Sequence, residues 1–126
     1  MDSEQDHPIL VVDDDDGMRS ALCRLLGAAG YATRAFASAE EAQASSLVLK
    51  ASCLVIDVHL SGLTGTDWYA TLGASRPPAV FVTAFDSEQV RASALEAGGC
   101  AYLTKPFNRR ALLQAVEGAI RAGHAG

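Results

Sequence analysis

Cysteine, lysine and long apolar runs are all scarce in this chain, and each scarcity narrows what it can be. The three cysteines, Cys23, Cys53 and Cys100, are an odd count without CxxC spacing. They read as reduced, buried thiols of a cytosolic protein rather than as a metal or redox set. No apolar stretch reaches the roughly 18 residues a membrane span needs, and the start, MDSEQDHP, is acidic and polar, the opposite of a signal peptide. Lys and Arg total 10 against 15 Asp and Glu, and the net charge of −5 argues against a nucleic-acid-binding surface. Just two lysines occur, Lys50 and Lys105. His7 and His124 lie near the chain ends and carry no expected role. Linkers, repeats and low-complexity segments are missing as well.

What is present is one globular domain. A chain of 126 residues, 49% hydrophobic and 20% charged, is neither disordered nor fibrous. Chains of this length bury roughly two-thirds of their unfolded surface. Its start raises a question of charge, because ILVVDDDDGMRSALCRLL stacks Asp13, Asp14, Asp15 and Asp16 behind an apolar run. Like charges about 4 Å apart repel by about 4 kcal/mol at an effective dielectric near 20. Ile9 to Val12 is a β-branched run suited to a buried strand. From Met18 onward, Met18, Leu22, Leu25, Leu26 and Ala29 fall at helical spacing, with Gly30 placed as a C-terminal cap. The aspartates therefore occupy a strand-to-helix turn. Asp15 and Asp16 face the helix start, where the macrodipole favours carboxylates. Asp13 and Asp14 sit at the strand's C-terminal end, the edge where open parallel sheets bind ligands.

The same alternation repeats five times. A short strand near residues 32–36 precedes the capping box Ser38-Ala39-Glu40-Glu41, which opens a helix through about residue 48. Cys53-Leu54-Val55-Ile56-Asp57 is a buried strand ending in an acid, and a loop with Gly62 and Gly65 leads to a helix over residues 67–72. After Pro77-Pro78 comes the strand Ala79-Val80-Phe81-Val82-Thr83. Asp86 or Ser87 caps a fourth helix, which Gly98-Gly99 ends. Ala101-Tyr102-Leu103-Thr104 runs into Lys105-Pro106, and Asn108 caps a last helix ending near Ala122. Right-handed crossovers fold such a chain into an α/β, doubly wound, five-stranded parallel sheet with five helices.

In that fold the C-terminal strand ends share one edge. Asp13-Asp14, Asp57, Thr83 and Lys105 therefore converge: three acids, a hydroxyl and one of the two lysines. Clustered carboxylates must protonate or hold a cation, and oxygen ligands with few protein donors suit Mg²⁺, which keeps waters and accepts phosphate oxygens. A carboxylate can attack phosphorus to give an acyl phosphate, while metal and lysine neutralise charge on the transferring group and the threonine hydroxyl binds one of its oxygens. Phosphoryl transfer onto an aspartate follows. For Asp57 a purely structural role is hard to sustain, since an unpaired acid following CLVI is costly to bury.

Asp13-Asp14, Asp57, Thr83-Ala84, Tyr102 and Lys105-Pro106-Phe107 resemble, in order, the signature of response-regulator receiver domains of two-component signalling. The resemblance covers residues 8–122, leaving residues 1–7 and 123–126 as tails. It implies a flavodoxin-like sheet with strand order 2-1-3-4-5. It makes the chain a phosphoacceptor, not an enzyme in the ordinary sense, with self-catalysed phosphorylation and dephosphorylation. Asp57 would receive a phosphoryl group from a sensor histidine kinase. Mg²⁺, for which Mn²⁺ can substitute, would be held by Asp14 directly, by Asp13 largely through water, by Asp57 and by the backbone carbonyl of His59. Lys105 would pair with the phosphoryl group, its angle set by a cis peptide to Pro106. Thr83 would move toward the phosphate beside Ala84, and Tyr102 would change rotamer with it, altering the surface of residues 87–122. His59 and Phe85 occupy positions that tune dephosphorylation by bordering the path of attacking water. Ser61 stands where the family commonly has proline, which bears on the rigidity of that loop.

FASAEEA at 36–42 and CLVIDVHLSGLTG at 53–65 are similar to the nitrogen-fixation regulator subfamily, whose members commonly carry a DNA-binding C-terminal helix-turn-helix output domain. None follows here, so the chain reads as a stand-alone regulator or an excised domain, with phosphorylation-dependent homodimerisation as a further implied partnership. No direct contact with nucleic acid or membrane is expected, and the location is cytoplasmic. Two other readings stay open. LVVDDDDG also resembles the first motif of haloacid-dehalogenase-type phosphatases, in which Asp13 would be the nucleophile. Those enzymes need an acidic motif after the lysine, and only Glu117 follows Lys105. A pseudo-receiver that binds a partner without being phosphorylated is the other, although such modules usually lose an acid, the lysine or the threonine. A flavin site of the same topology lacks its Ser/Thr/Gly-rich phosphate loop.

Overall fold

The computed structural model describes residues 7–125, with side chains through residue 123. Five strands, β1 (Ile9–Val12), β2 (Thr33–Phe36), β3 (Cys53–Asp57), β4 (Ala79–Thr83) and β5 (Ala101–Thr104), form one sheet in the order β2-β1-β3-β4-β5. Every pairing is parallel. Helices α1 (Asp16–Ala28), α2 (Ala39–Ala44), α3 (Gly65–Ala70), α4 (Glu88–Glu96) and α5 (Arg109–Ala125) connect or follow the strands. This is the α/β, doubly wound arrangement expected from the alternation of apolar runs. Among the described residues no helix is long and apolar enough to cross a membrane.

The core explains why β1, β3 and β4 read as unbroken apolar runs: helices cover both faces, so every residue of these strands is buried. On one face Leu10, Val12, Leu54, Ile56 and Phe81 pack with Ala42, Trp68, Tyr69 and Ala94 from α2, α3 and α4. On the other, Ile9, Val11, Cys53, Val55, Val80 and Val82 meet Leu22 and Leu26 of α1 and Leu112, Val116 and Ala119 of α5. The polar tips on these apolar bodies are satisfied. Trp68 Nε1 donates to Gln43 Oε1 at 2.9 Å and the Tyr69 hydroxyl to the Pro77 carbonyl at 2.6 Å. Burial pushes the Cys53 thiol up to about 12, so it is an inert apolar group at neutral pH.

Several element ends depart from the sequence reading. The second helix does not run to residue 48 but stops at Ala44. Ser45 turns its hydroxyl back onto the Ala42 carbonyl, and Ser46 adopts a left-handed φ of 62°. A single 3-10 turn, Val48–Lys50, follows. The third helix is Gly65–Ala70, not 67–72, because Thr64 caps it by accepting from the Asp67 N–H. At α4, Ser87 rather than Asp86 is the cap. The last helix continues past residue 122 to Ala125, so most of the expected C-terminal tail is helical. The His124 side chain and residues 1–6 lie outside the described residues. His7 is not loose, since its Nδ1 bonds the Lys50 carbonyl at 2.9 Å.

Candidate functional site

β1 stops being apolar after Val12, and Asp13 follows with no exposed surface. A carboxylate buried this way needs partners. Oδ1 of Asp13 accepts the Asp15 backbone N–H at 2.9 Å and Oδ2 accepts from Lys105 Nζ at 3.0 Å. Burial nonetheless holds the Asp13 carboxyl above its ordinary range, and the negative charge of Asp57 pushes the same way, outweighing those two bonds. Asp57, at the end of the neighbouring strand β3, is almost as buried. Its Oδ1 accepts the His59 N–H at 3.0 Å and its Oδ2 faces Lys105 Nζ at 3.4 Å. Burial works to lower the Lys105 ammonium's pKa, but Asp13 and Asp57 outweigh it and hold the group above its usual value. Lys105 reaches the acids from the end of β5, and its peptide bond to Pro106 is cis.

Asp14 completes the cluster. It is exposed, and its Oδ2 accepts the Ser61 hydroxyl at 2.9 Å from across the site. One oxygen each from Asp13, Asp14 and Asp57 lie within 4.8 Å of one another. Three carboxylates facing one ammonium leave two negative charges in excess, and every donor is a hard oxygen. That donor set fits a divalent cation, and the three acids could hold one.

The run of four aspartates divides by the geometry of its turn. Asp15 is the N-cap of α1, accepting the Met18 N–H at 2.9 Å, and Asp16 opens the first turn. Arg19 then clasps the turn from inside the helix. Its guanidinium donates to the Asp13 carbonyl at 2.9 Å and pairs with Asp16.

The other side of the site is built differently. The β3–β4 register sets Asp57 opposite Val82, so Thr83 follows one residue on, fully buried. Its hydroxyl accepts the Phe85 N–H at 3.0 Å, with Ala84 exposed between them. Phe85 is 69% exposed and meets the exposed His59 ring edge to face, with centroids 5.3 Å apart. Tyr102 is not drawn into this group. Its hydroxyl donates to Asp86 Oδ1 at 2.9 Å, Arg91 binds both Asp86 oxygens at 3.2 and 3.0 Å, and the guanidinium lies 5.2 Å from the Tyr102 ring centroid.

Asp13, Asp14, Asp57 and Lys105 are thus brought together, with Thr83 beside them. His59 reaches the cluster through its backbone N–H, and Tyr102 stays outside. Arg19 escaped the sequence reading, and Ser61 entered it only for the rigidity of its loop, not for its bond to Asp14. Arg19 left a signal, since an Asp-to-Arg spacing of three residues in a first helical turn forms a pair. Ser61 left none, because its bond joins residues 47 apart.

Over residues 9–117 the sequence matches the response regulator receiver domain family. It is 36% identical over 110 residues to nodulation protein W of Bradyrhizobium diazoefficiens, covering 86% of this chain and 48% of that protein. It is 32% identical over 116 residues to sensory transduction protein RegX3 of Mycolicibacterium smegmatis, covering 91% and 51%. The chain spans about half the length of these curated relatives. Among solved structures it resembles a CheY-like response regulator receiver domain protein of Methanospirillum hungatei, with TM-score 0.83 and 27% identity over 94% of this chain and 97% of that one. A two-component response regulator from Clostridium difficile gives TM-score 0.83 at 26% identity, covering 91% and 96%.

Proposed function

The chain belongs to the receiver domains of response regulators, and on that premise we propose that it accepts a phosphoryl group from a sensor histidine kinase onto Asp57. The observation that carries this reading is Lys105 Nζ lying 3.0 Å from Asp13 and 3.4 Å from Asp57 while three carboxylates converge within 4.8 Å. A carboxylate oxygen of Asp57 attacks phosphorus, the bond from phosphorus to the donor imidazole nitrogen breaks, and its electron pair returns to that nitrogen. Lys105 shifts from pairing carboxylates to pairing a phosphoryl oxygen, and the Thr83 hydroxyl donates to another. Asp13, Asp14, Asp57 and the His59 carbonyl would hold Mg²⁺ or Mn²⁺. The bound ion supplies neutralising charge for the phosphoryl oxygens.

Asp57 is favoured over Asp13 as the acceptor on a simple ground. The Asp13 side chain has no exposed surface and holds Lys105 at 3.0 Å, whereas the Asp57 side chain keeps 8% exposure and a longer 3.4 Å contact to Lys105. The His59–Phe85 ring pair borders the acceptor and screens it from hydrolytic water. After transfer, a new charge of about −2 biases a two-state element. Thr83 moves toward it, Tyr102 leaves Asp86, and the α4–β5–α5 surface changes for its reader. With relatives about twice as long, that reader is a DNA-binding output domain or a second receiver.

The test is intact mass after incubation with Mg²⁺ and acetyl phosphate, for wild type, Asp57→Asn and Asp13→Asn. A single phosphoryl adduct lost in Asp57→Asn is the expected result. An adduct that survives Asp57→Asn and vanishes in Asp13→Asn would move the chemistry to Asp13. No adduct from acetyl phosphate or from a phosphorylated kinase would leave a binding module that is never phosphorylated.

A further inference from the structure

The three acids of the cluster are held in different ways. Asp13 is fixed by a backbone N–H and by Lys105, and Asp57 likewise by the His59 N–H and Lys105. Asp14 is exposed, and the bond that reaches it comes from the β3–α3 loop, where Ser61 Oγ lies 2.9 Å from its Oδ2. An aspartate on an open turn otherwise samples several staggered rotamers.

We propose that Ser61 is a positioning residue for the metal: its hydroxyl holds the Asp14 carboxylate in the rotamer that faces Asp13 and Asp57. This rests on the metal-binding part of the function proposed above. Three features of the structure carry it. An ionised carboxylate offers about four lone-pair sites, so a bond from Ser61 to Oδ2 leaves Oδ1 and part of Oδ2 for a cation. The same short loop also anchors Asp57, because the His59 N–H two residues earlier bonds Asp57 Oδ1 at 3.0 Å. One loop thereby fastens an acid at the end of β3 and another in the turn after β1. Its far end cannot drift, since a Cβ on Gly65 would lie 2.2 Å from the Asp57 carbonyl oxygen, placing the start of α3 directly against the end of β3. Partners that orient metal ligands typically contribute about 10–100-fold in metal affinity. With both Ser61 and Asp14 exposed, the effect belongs at the low end of that range.

Calorimetric titration of Mg²⁺ into the full chain tests this with wild type, Ser61→Ala and Ser61→Thr. Ser61→Ala should weaken Mg²⁺ binding about tenfold, and Ser61→Thr, which keeps the hydroxyl, should bind close to wild type. Thermal unfolding without Mg²⁺ should be nearly the same for all three. In acetyl phosphate labelling, Ser61→Ala should need more Mg²⁺ for half-maximal rate yet regain the wild-type rate at saturation. Equal Mg²⁺ affinity in wild type and Ser61→Ala, or equal weakening in Ser61→Thr, would overturn the inference alone. Absence of Mg²⁺ binding by wild type would overturn the metal reading and the inference with it.

Discussion

The two halves of the site differ in how far they are assembled. On the β1–β3 side, Lys105 joins Asp13 and Asp57 by hydrogen bonds in a group shielded from water, and the exposed Asp14 lies beside them. On the β4–β5 side, Thr83 is in position but Tyr102 is tied outward to Asp86 and Arg91, on the surface. In the proposed function the first half would carry the chemistry, where preorganised charge is most effective. The second half would there serve a change of state, and such elements come from the weakly held part of a fold. Contacts on the first side should therefore be costly to remove, and those on the second cheap.

The largest effect is expected at Lys105, the ammonium that serves both buried acids. Lys105→Met should slow labelling by acetyl phosphate about 10²-fold, followed by intact mass against time; a rate near wild type would show that the network does not need its cation. Next comes Gly65, where a methyl group would collide with the Asp57 carbonyl oxygen at 2.2 Å and the Ile56 side chain at 2.7 Å. Backbone cannot yield there as a flexible side chain could, so Gly65→Ala should cost about 2–3 kcal/mol in urea unfolding. A smaller effect is expected at the mouth of the site. Phe85 is mostly solvent-exposed and held by a ring contact to His59. Phe85→Gly should leave stability nearly unchanged and hasten loss of phosphate several-fold. An unchanged phosphate lifetime would mean that the ring pair does not screen the acceptor.

The same contrast separates what was legible in the sequence from what was not. Asp13, Asp57, Thr83 and Lys105 could be read because parallel strands end on one edge, so an apolar run fixes where its last residue goes. The partition of the aspartates was legible too, since helix capping is a local rule, and Asp15 obeys it. Helix ends were less so. At α3 both Thr64 and Asp67 are plausible caps, and packing of Gly65 against β3 decides for the earlier one. At α2 the apolar spacing runs on through residue 48, but Ser45 bonds back to Ala42 and ends the helix. The Ser61–Asp14 and Tyr102–Asp86 bonds depend on loop paths and rotamers, which no spacing in the chain encodes.

The finest discrimination between the halves lies in the Tyr102–Asp86 bond itself. Exposed pairs of this kind contribute about 0–1 kcal/mol, so Asp86→Ala should shift stability by less than about 0.5 kcal/mol. Its electrostatic signature is nevertheless readable. Burial raises the Tyr102 phenol above its usual value, and the Asp86 carboxylate raises it further, by accepting its hydrogen bond and by its charge, against a smaller opposing effect of Arg91. Removing Asp86 therefore lets Tyr102 ionise at lower pH than in wild type. A phenol raised on folding contributes stability that is present below its unfolded pKa of about 10 and is lost as pH rises through the folded value. Asp86→Ala brings the folded value back toward the unfolded one, so it should shrink that alkaline loss while changing neutral stability by less than about 0.5 kcal/mol. Ultraviolet tyrosinate titration, with Tyr102→Phe to identify the step among the three tyrosines, measures it directly. An unchanged Tyr102 step would show that the ring is not held by Asp86 in solution, and the switch half would then be looser than the geometry implies.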